Sequence, residues 1–92
     1  MKSHRKYLIN AFEKEAMARG WHDSSKNPRG LARCGYKNSR QWARWMADTY
    51  FDENGLITCS ILMDVIEDAA KVDQPLTQAD YDYVAEEEIS CW

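Results

Sequence analysis

Trp42, Trp45, Met46, Thr49 and Tyr50 fall at i, i+3, i+4, i+7 and i+8, the spacing of one face of an α-helix. A half-buried strand would alternate at every second residue instead. This run therefore commits the middle of the chain to a helix, with Ser39 as its expected N-cap and Asn54-Gly55 as its end. Three further stripes repeat the pattern. Leu8, Ala11, Phe12 and Ala16 predict a helix from a Ser3 cap to about Gly20. Leu62, Val65, Ile66 and Ala69 predict a third after Thr58 or Ser60, with Asp64, Glu67 and Asp68 outward and Gln74-Pro75 as its stop. Tyr81, Val84, Ala85 and Ile89 predict a fourth, opened by Thr77 with Asp80 three residues on, a weaker form of the capping box. From about Trp21 to Asn38 no period holds, and DSSKNPRG breaks any regular element. The expected fold is all-α: a small bundle of about four short helices with an irregular basic loop between helices 1 and 2. It forms a single helical domain over residues 1–92, without internal repeat or low-complexity tract.

Helices this short hold only if they share a core, and the chain has the side chains for one. Four Trp and five Tyr stand among its 92 residues, and each large aromatic buries on the order of 150–250 Å². No apolar stretch approaches a membrane span. The amino-terminal run MKSHRKYLINAFEKEA starts basic, but Asn10, Glu13 and Glu15 interrupt any signal-peptide core. Lys2, Arg5 and Lys6 beside Leu8, Ile9 and Phe12 also suit a membrane-surface helix, an apolar face that so small a protein needs for its core. Cys34, Cys59 and Cys91 are odd in number and widely spaced, which fits reduced thiols and a cytoplasmic location.

Charge is divided along the chain. Residues 1–47 carry a net charge of +8 and residues 48–92 a net of −11, with Lys71 the only base in the second half. No acid stands between Asp23 and Asp48, where Lys26, Arg29, Arg33, Lys37, Arg40 and Arg44 alternate with Tyr36, Trp42 and Trp45. Two readings are open: the halves face and neutralise each other, or the basic half meets an anionic partner. The helical stripe assigns Trp42 and Trp45 to the core and points Arg40 and Arg44 outward. Glu86, Glu87 and Glu88 read as a solvated face or as a negative docking surface.

Reactive constellations are weak. Aligning FDENGLIT with a calcium loop places Tyr50 at the first ligand position and Ile61 at the last, where carboxylates are required. His4, His22 and the three cysteines lack paired zinc spacing. Cys34 near Arg33 and Lys37 could pair with His22 as an activated thiol, yet nothing supplies an orienting third group. There is no phosphate-binding glycine loop. The expectation is no enzyme, no metal and no cofactor.

ARGW at 18–21, CGY at 34–36 and RQWARW at 40–45 together resemble the bacterial ribosome modulation factor family and its small phage relatives, over roughly residues 16–47. Gly35 stands where that family has proline, the two tryptophans are closer together, the intervening loop differs in length, and the acidic half has no counterpart. The resemblance implies short helices in contact with ribosomal RNA, with Arg40, Trp42 and Trp45 at the matching positions.

The function expected from the residues themselves is a non-catalytic modulator or inhibitor. It docks through a basic-aromatic segment onto a larger, nucleic-acid-handling protein complex, in the manner of many phage accessory proteins. Trp21, Lys26, Arg29, Arg33, Tyr36, Lys37, Arg40 and Arg44 form the expected partner-binding set. The alternative is direct binding of RNA or single-stranded nucleic acid by the same segment.

Overall fold

Each of the four stripes becomes a helix. The computed structural model describes residues 3–21 and 38–91, and within them lie α1 (His4–Ala18), α2 (Ser39–Asp48), α3 (Ser60–Lys71) and α4 (Gln78–Ser90). The Ser3 hydroxyl accepts from the Lys6 N–H at the start of α1. Its end is a Schellman motif: Gly20, at φ +72°, donates to Met17 and Trp21 donates back to Ala16. That left-handed turn is open to glycine at little cost, and it folds the Trp21 ring back onto the core.

α1 lies between α2 and α4, while α3 packs on α4 alone. The arrangement explains why α1 buries Ile9 as well as the expected Leu8, Ala11, Phe12 and Ala16. A helix covered on two sides needs an apolar arc wider than a single stripe. On one side Phe12 meets Trp42 and Tyr50 edge-on, with centroids 5.8 and 5.6 Å away. On the other, Tyr7 stacks on Tyr81 at 4.7 Å, and the Gln78 amide donates to the Tyr7 carbonyl at 3.0 Å.

α2 departs from expectation in its rotation. Its N-cap is Asn38, whose side chain accepts from the Gln41 N–H at 2.8 Å, not Ser39. Its buried face is Ser39, Trp42, Ala43, Met46 and Ala47, continued by Tyr50. Trp45 is 53% exposed and Thr49 is exposed as well. At 3.6 residues per turn the buried arc is turned by roughly 60° from the expected stripe through Trp42, Trp45, Met46, Thr49 and Tyr50. The small side chains account for this turn. Ser39, Ala43 and Ala47 let the α2 backbone approach α1, which a face carrying Trp45 would hold off.

The helix also stops at Asp48, before Asn54-Gly55. The Asp52 carboxylate accepts from the N–H groups of Asn54 and Leu56, both at 2.9 Å. An aspartate that supplies backbone partners outside a helix competes with helical pairing. Gly55, at φ +80°, completes the turn, and Phe51 bridges Ile57 across it. The oxygens considered for calcium thus build a turn.

α3 buries only Leu62 fully, with Val65, Ile66 and Ala69 half-buried, because a single neighbouring helix covers one narrow strip of it. Its carboxyl end places Asp73 at φ +53°, with the N–H groups of Asp73 and Gln74 turned back to Ala70 and Ala69. α4 opens as expected, the Asp80 carboxylate accepting from the Thr77 N–H at 2.8 Å. Tyr81, Val84, Ala85 and Ile89 are all buried.

One polar atom in this core stands apart. The Tyr50 hydroxyl is buried with no hydrogen-bond partner among the described residues. Burial, followed by the neighbouring Cys59 and Glu88, pushes its pKa far above the ordinary tyrosine value. A buried unpaired hydroxyl costs about 1–3 kcal/mol. Tyr50→Phe should therefore raise the melting temperature by several degrees, and a fall of several degrees would show that the hydroxyl is paired.

Candidate docking surface

The expected partner-binding residues divide into three groups. Lys26, Arg29, Arg33, Tyr36 and Lys37 lie outside the described residues, as do Cys34 and His22. Trp21 and Arg40 are built into the fold. Arg44 is exposed on α2.

Trp21 is half-buried against Trp42, with ring centroids 5.5 Å apart and planes at 90°. The Arg19 guanidinium lies 5.7 Å from the Trp21 ring centroid. This tryptophan closes the core where α1 ends and is no free anchor. Ser39 donates to the Met17 sulfur at 3.4 Å. The end of α1 and the start of α2 are therefore neighbours.

Arg40 corrects the expectation that both α2 arginines project outward. Its Nη1 donates to Glu13 at 2.7 Å and to Asn10 at 3.5 Å, pinning α2 to α1. The cause is the same rotation: turning Ala43 and Ala47 inward brings Arg40 to the edge of the α1 contact. Both partners of this pair are one-third exposed, so its strength lies between that of a screened surface pair and a buried one. Arg40→Met should cost about 1 kcal/mol in urea denaturation. No loss at all would mean that the pair does not hold α2 in place.

With Arg40 turned in and Trp45 turned out, the outward face of α2 presents Gln41, Arg44, Trp45 and Asp48, all exposed. Arg44 makes no ion pair among the described residues. Tryptophan and arginine are among the side chains most enriched at interface hot spots. Sequence periodicity missed Trp45 because it weighed aromatic positions above alanines.

Part of the charge division is neutralised within the fold. Arg5 pairs with Asp48 at 2.7 Å and Lys14 with Asp82 at 2.9 Å, across the basic and acidic halves. These contacts raise the pKa of Arg5 and of Lys14. Arg19 and Arg40 are matched within the basic half by Glu15 and Glu13. Asp64, Glu67 and Asp68 on α3 have no ion pair among the described residues. Among the described residues internal neutralisation is therefore partial.

Among the described residues no three His, Cys, Asp or Glu side chains converge as metal ligands, and no helix is long and apolar enough to cross a membrane. Compared with protein-family models, curated proteins and solved structures, the chain matches none of them.

Proposed function

We propose that this chain is a non-catalytic docking module, a modulator or inhibitor that engages a larger nucleic-acid-handling complex. Its contact surface is the outward face of α2 together with the basic run that precedes it. The observation that carries this reading is Trp45, 53% exposed on a helix whose opposite side is fully used for packing, with exposed Arg44 next to it. Leaving half an indole in water forgoes burial free energy of about 25 cal/mol per Å², and a partner's surface recovers it. Lys26, Arg29, Arg33 and Lys37 add cationic reach close by in sequence. The net charge of −3 disfavours a free-standing polyanion binder and favours a protein surface of mixed charge.

Direct RNA binding is the second reading, and the same pair favours it. An exposed indole beside a guanidinium suits stacking on an unpaired base, and the likeness to ribosome modulation factors points to the ribosome as the complex engaged.

Capture from a bacterial lysate separates the two, comparing the tagged chain with Arg44→Glu/Trp45→Ala, with and without nuclease. A defined protein set that survives nuclease and is lost in the variant supports docking on protein. Recovery of nucleic acid alone, abolished by nuclease and falling steeply with salt, supports the second reading. Equal capture by both chains overturns the assignment of this face.

A further inference from the structure

We propose that the groove between the carboxyl end of α3 and the amino end of α4 takes a basic, amphipathic segment of a partner protein, one that sets an apolar side chain between flanking lysines or arginines. α1 stands between α2 and α4. The groove is therefore a different surface from the outward face of α2 and does not depend on the function proposed above. Its volume is about 490 Å³. Val65 and Ala69, half-buried, form its floor, and the turn through Gln74 and Pro75 closes one end. Val72, 63% exposed, and Tyr83, 52% exposed, stand at its rims. Two large side chains left in water over an open apolar floor mark an interaction site.

The charges along the groove choose the occupant. Among the described residues that line it, Asp68 on α3 and Asp80 on α4 are the charged ones, so each wall carries an acid. Asp68 is exposed and makes no ion pair among the described residues. The Asp80 carboxylate accepts from the Thr77 N–H and hydroxyl, both through Oδ2, and these bonds cap α4 without supplying a cation. Asp64 precedes Asp68 by one turn on the same side of α3, and Glu87 follows Tyr83 by one turn on the same side of α4. Acid therefore continues along both walls. Lys71, the only base of residues 48–92, is not part of the lining and has no ion pair among the described residues. It stands about 140° around α3 from the floor. A nucleic-acid strand or an anionic membrane would meet like charge on both walls. An uncharged apolar segment would desolvate two carboxylates without pairing them. A basic, amphipathic segment meets every part: its apolar side chain lies on Val65, Ala69 and Val72, an ammonium or guanidinium reaches each carboxylate, and the Tyr83 ring offers its face to a cation.

Fluorescence anisotropy with a labelled helical peptide of leucine and lysine tests this, against a serine–lysine peptide of the same length and charge. The wild-type chain should bind the leucine peptide about tenfold more tightly than the serine peptide. Asp68→Lys should weaken binding of the leucine peptide about tenfold. Glu53→Lys, the same change of charge at an exposed residue outside the groove, should weaken it about twofold or less. Val72→Asp separates the groove from net charge. It adds an acid, which general attraction would reward, and removes the apolar contact, so binding should fall about tenfold. All three positions are exposed, and circular dichroism checks that each variant is folded. Equal binding of the two peptides, or Val72→Asp binding as tightly as the wild type, overturns the proposal by reducing the attraction to net charge. A chain that binds neither peptide overturns it as well, and self-association lost in Val72→Asp would then give the groove to a second copy.

Discussion

Phe12→Ala should lower the melting temperature by about 15 °C or more. The ring is fully buried and is the largest such side chain in the core. It also joins two elements, meeting Trp42 on α2 and Tyr50 just beyond it. Truncating a buried phenylalanine costs about 3–5 kcal/mol, the transfer of the ring plus the cavity it leaves. A domain of this size has on the order of 5–14 kcal/mol in total, so a large share would be lost. Urea denaturation followed by far-ultraviolet circular dichroism measures it. A loss below about 1 kcal/mol would mean that α2 closes onto α1 when the ring is removed, and that the edge-on contacts are not what holds the pair together.

Arg44→Glu/Trp45→Ala should act on the opposite quantity. Surface changes away from special contacts shift stability by only about 0.5 kcal/mol, whereas a hot-spot tryptophan contributes about 2 kcal/mol or more to binding, close to 30-fold in affinity. The double variant should therefore keep nearly its full melting temperature while capture of the partner falls by more than tenfold. Arg40→Met should show the reverse, losing some stability and keeping the partner, since its guanidinium is engaged by Glu13 and Asn10.

That contrast shows how much of the molecule was legible in the chain. The four helices were, because apolar side chains at helical spacing have to be buried somewhere and the punctuation agreed with them. Ser3, Gly20 and Thr77 sit at the ends where capping chemistry put them. The faces of α1 and α4 were legible too, since every residue of both stripes is buried, with Ile9 beside Leu8 the one addition. The rotation of α2 was not. Trp42 and Trp45 lie three apart and both fit a stripe, and nothing in periodicity says that backbone approach through Ser39, Ala43 and Ala47 outweighs burying a second indole. Arg40 was misjudged for the same reason, since the rotation brings it to the edge of the α1 contact, while Arg44, four residues on, is exposed as expected. The end of α2 was placed too late because Asn54-Gly55 was read as the stop, whereas the turn begins at Asp52, whose carboxylate takes the Asn54 and Leu56 N–H groups. The remaining basic residues, Lys26 to Lys37, lie outside the described residues, and their place rests on the sequence alone.

Trp42 and Trp45, three residues apart, divide between packing and the proposed docking. The most direct test of that division is to measure melting temperature and partner capture side by side for Trp42→Ala and Trp45→Ala. Trp42 is 5% exposed, so its loss should lower the melting temperature by about 15 °C or more. The Trp45 variant should melt within about 5 °C of the wild type and capture far less partner. If the two variants lose stability alike, and the Trp45 variant captures as much partner as the wild type, Trp45 is a core residue and the outward face of α2 is not the docking surface.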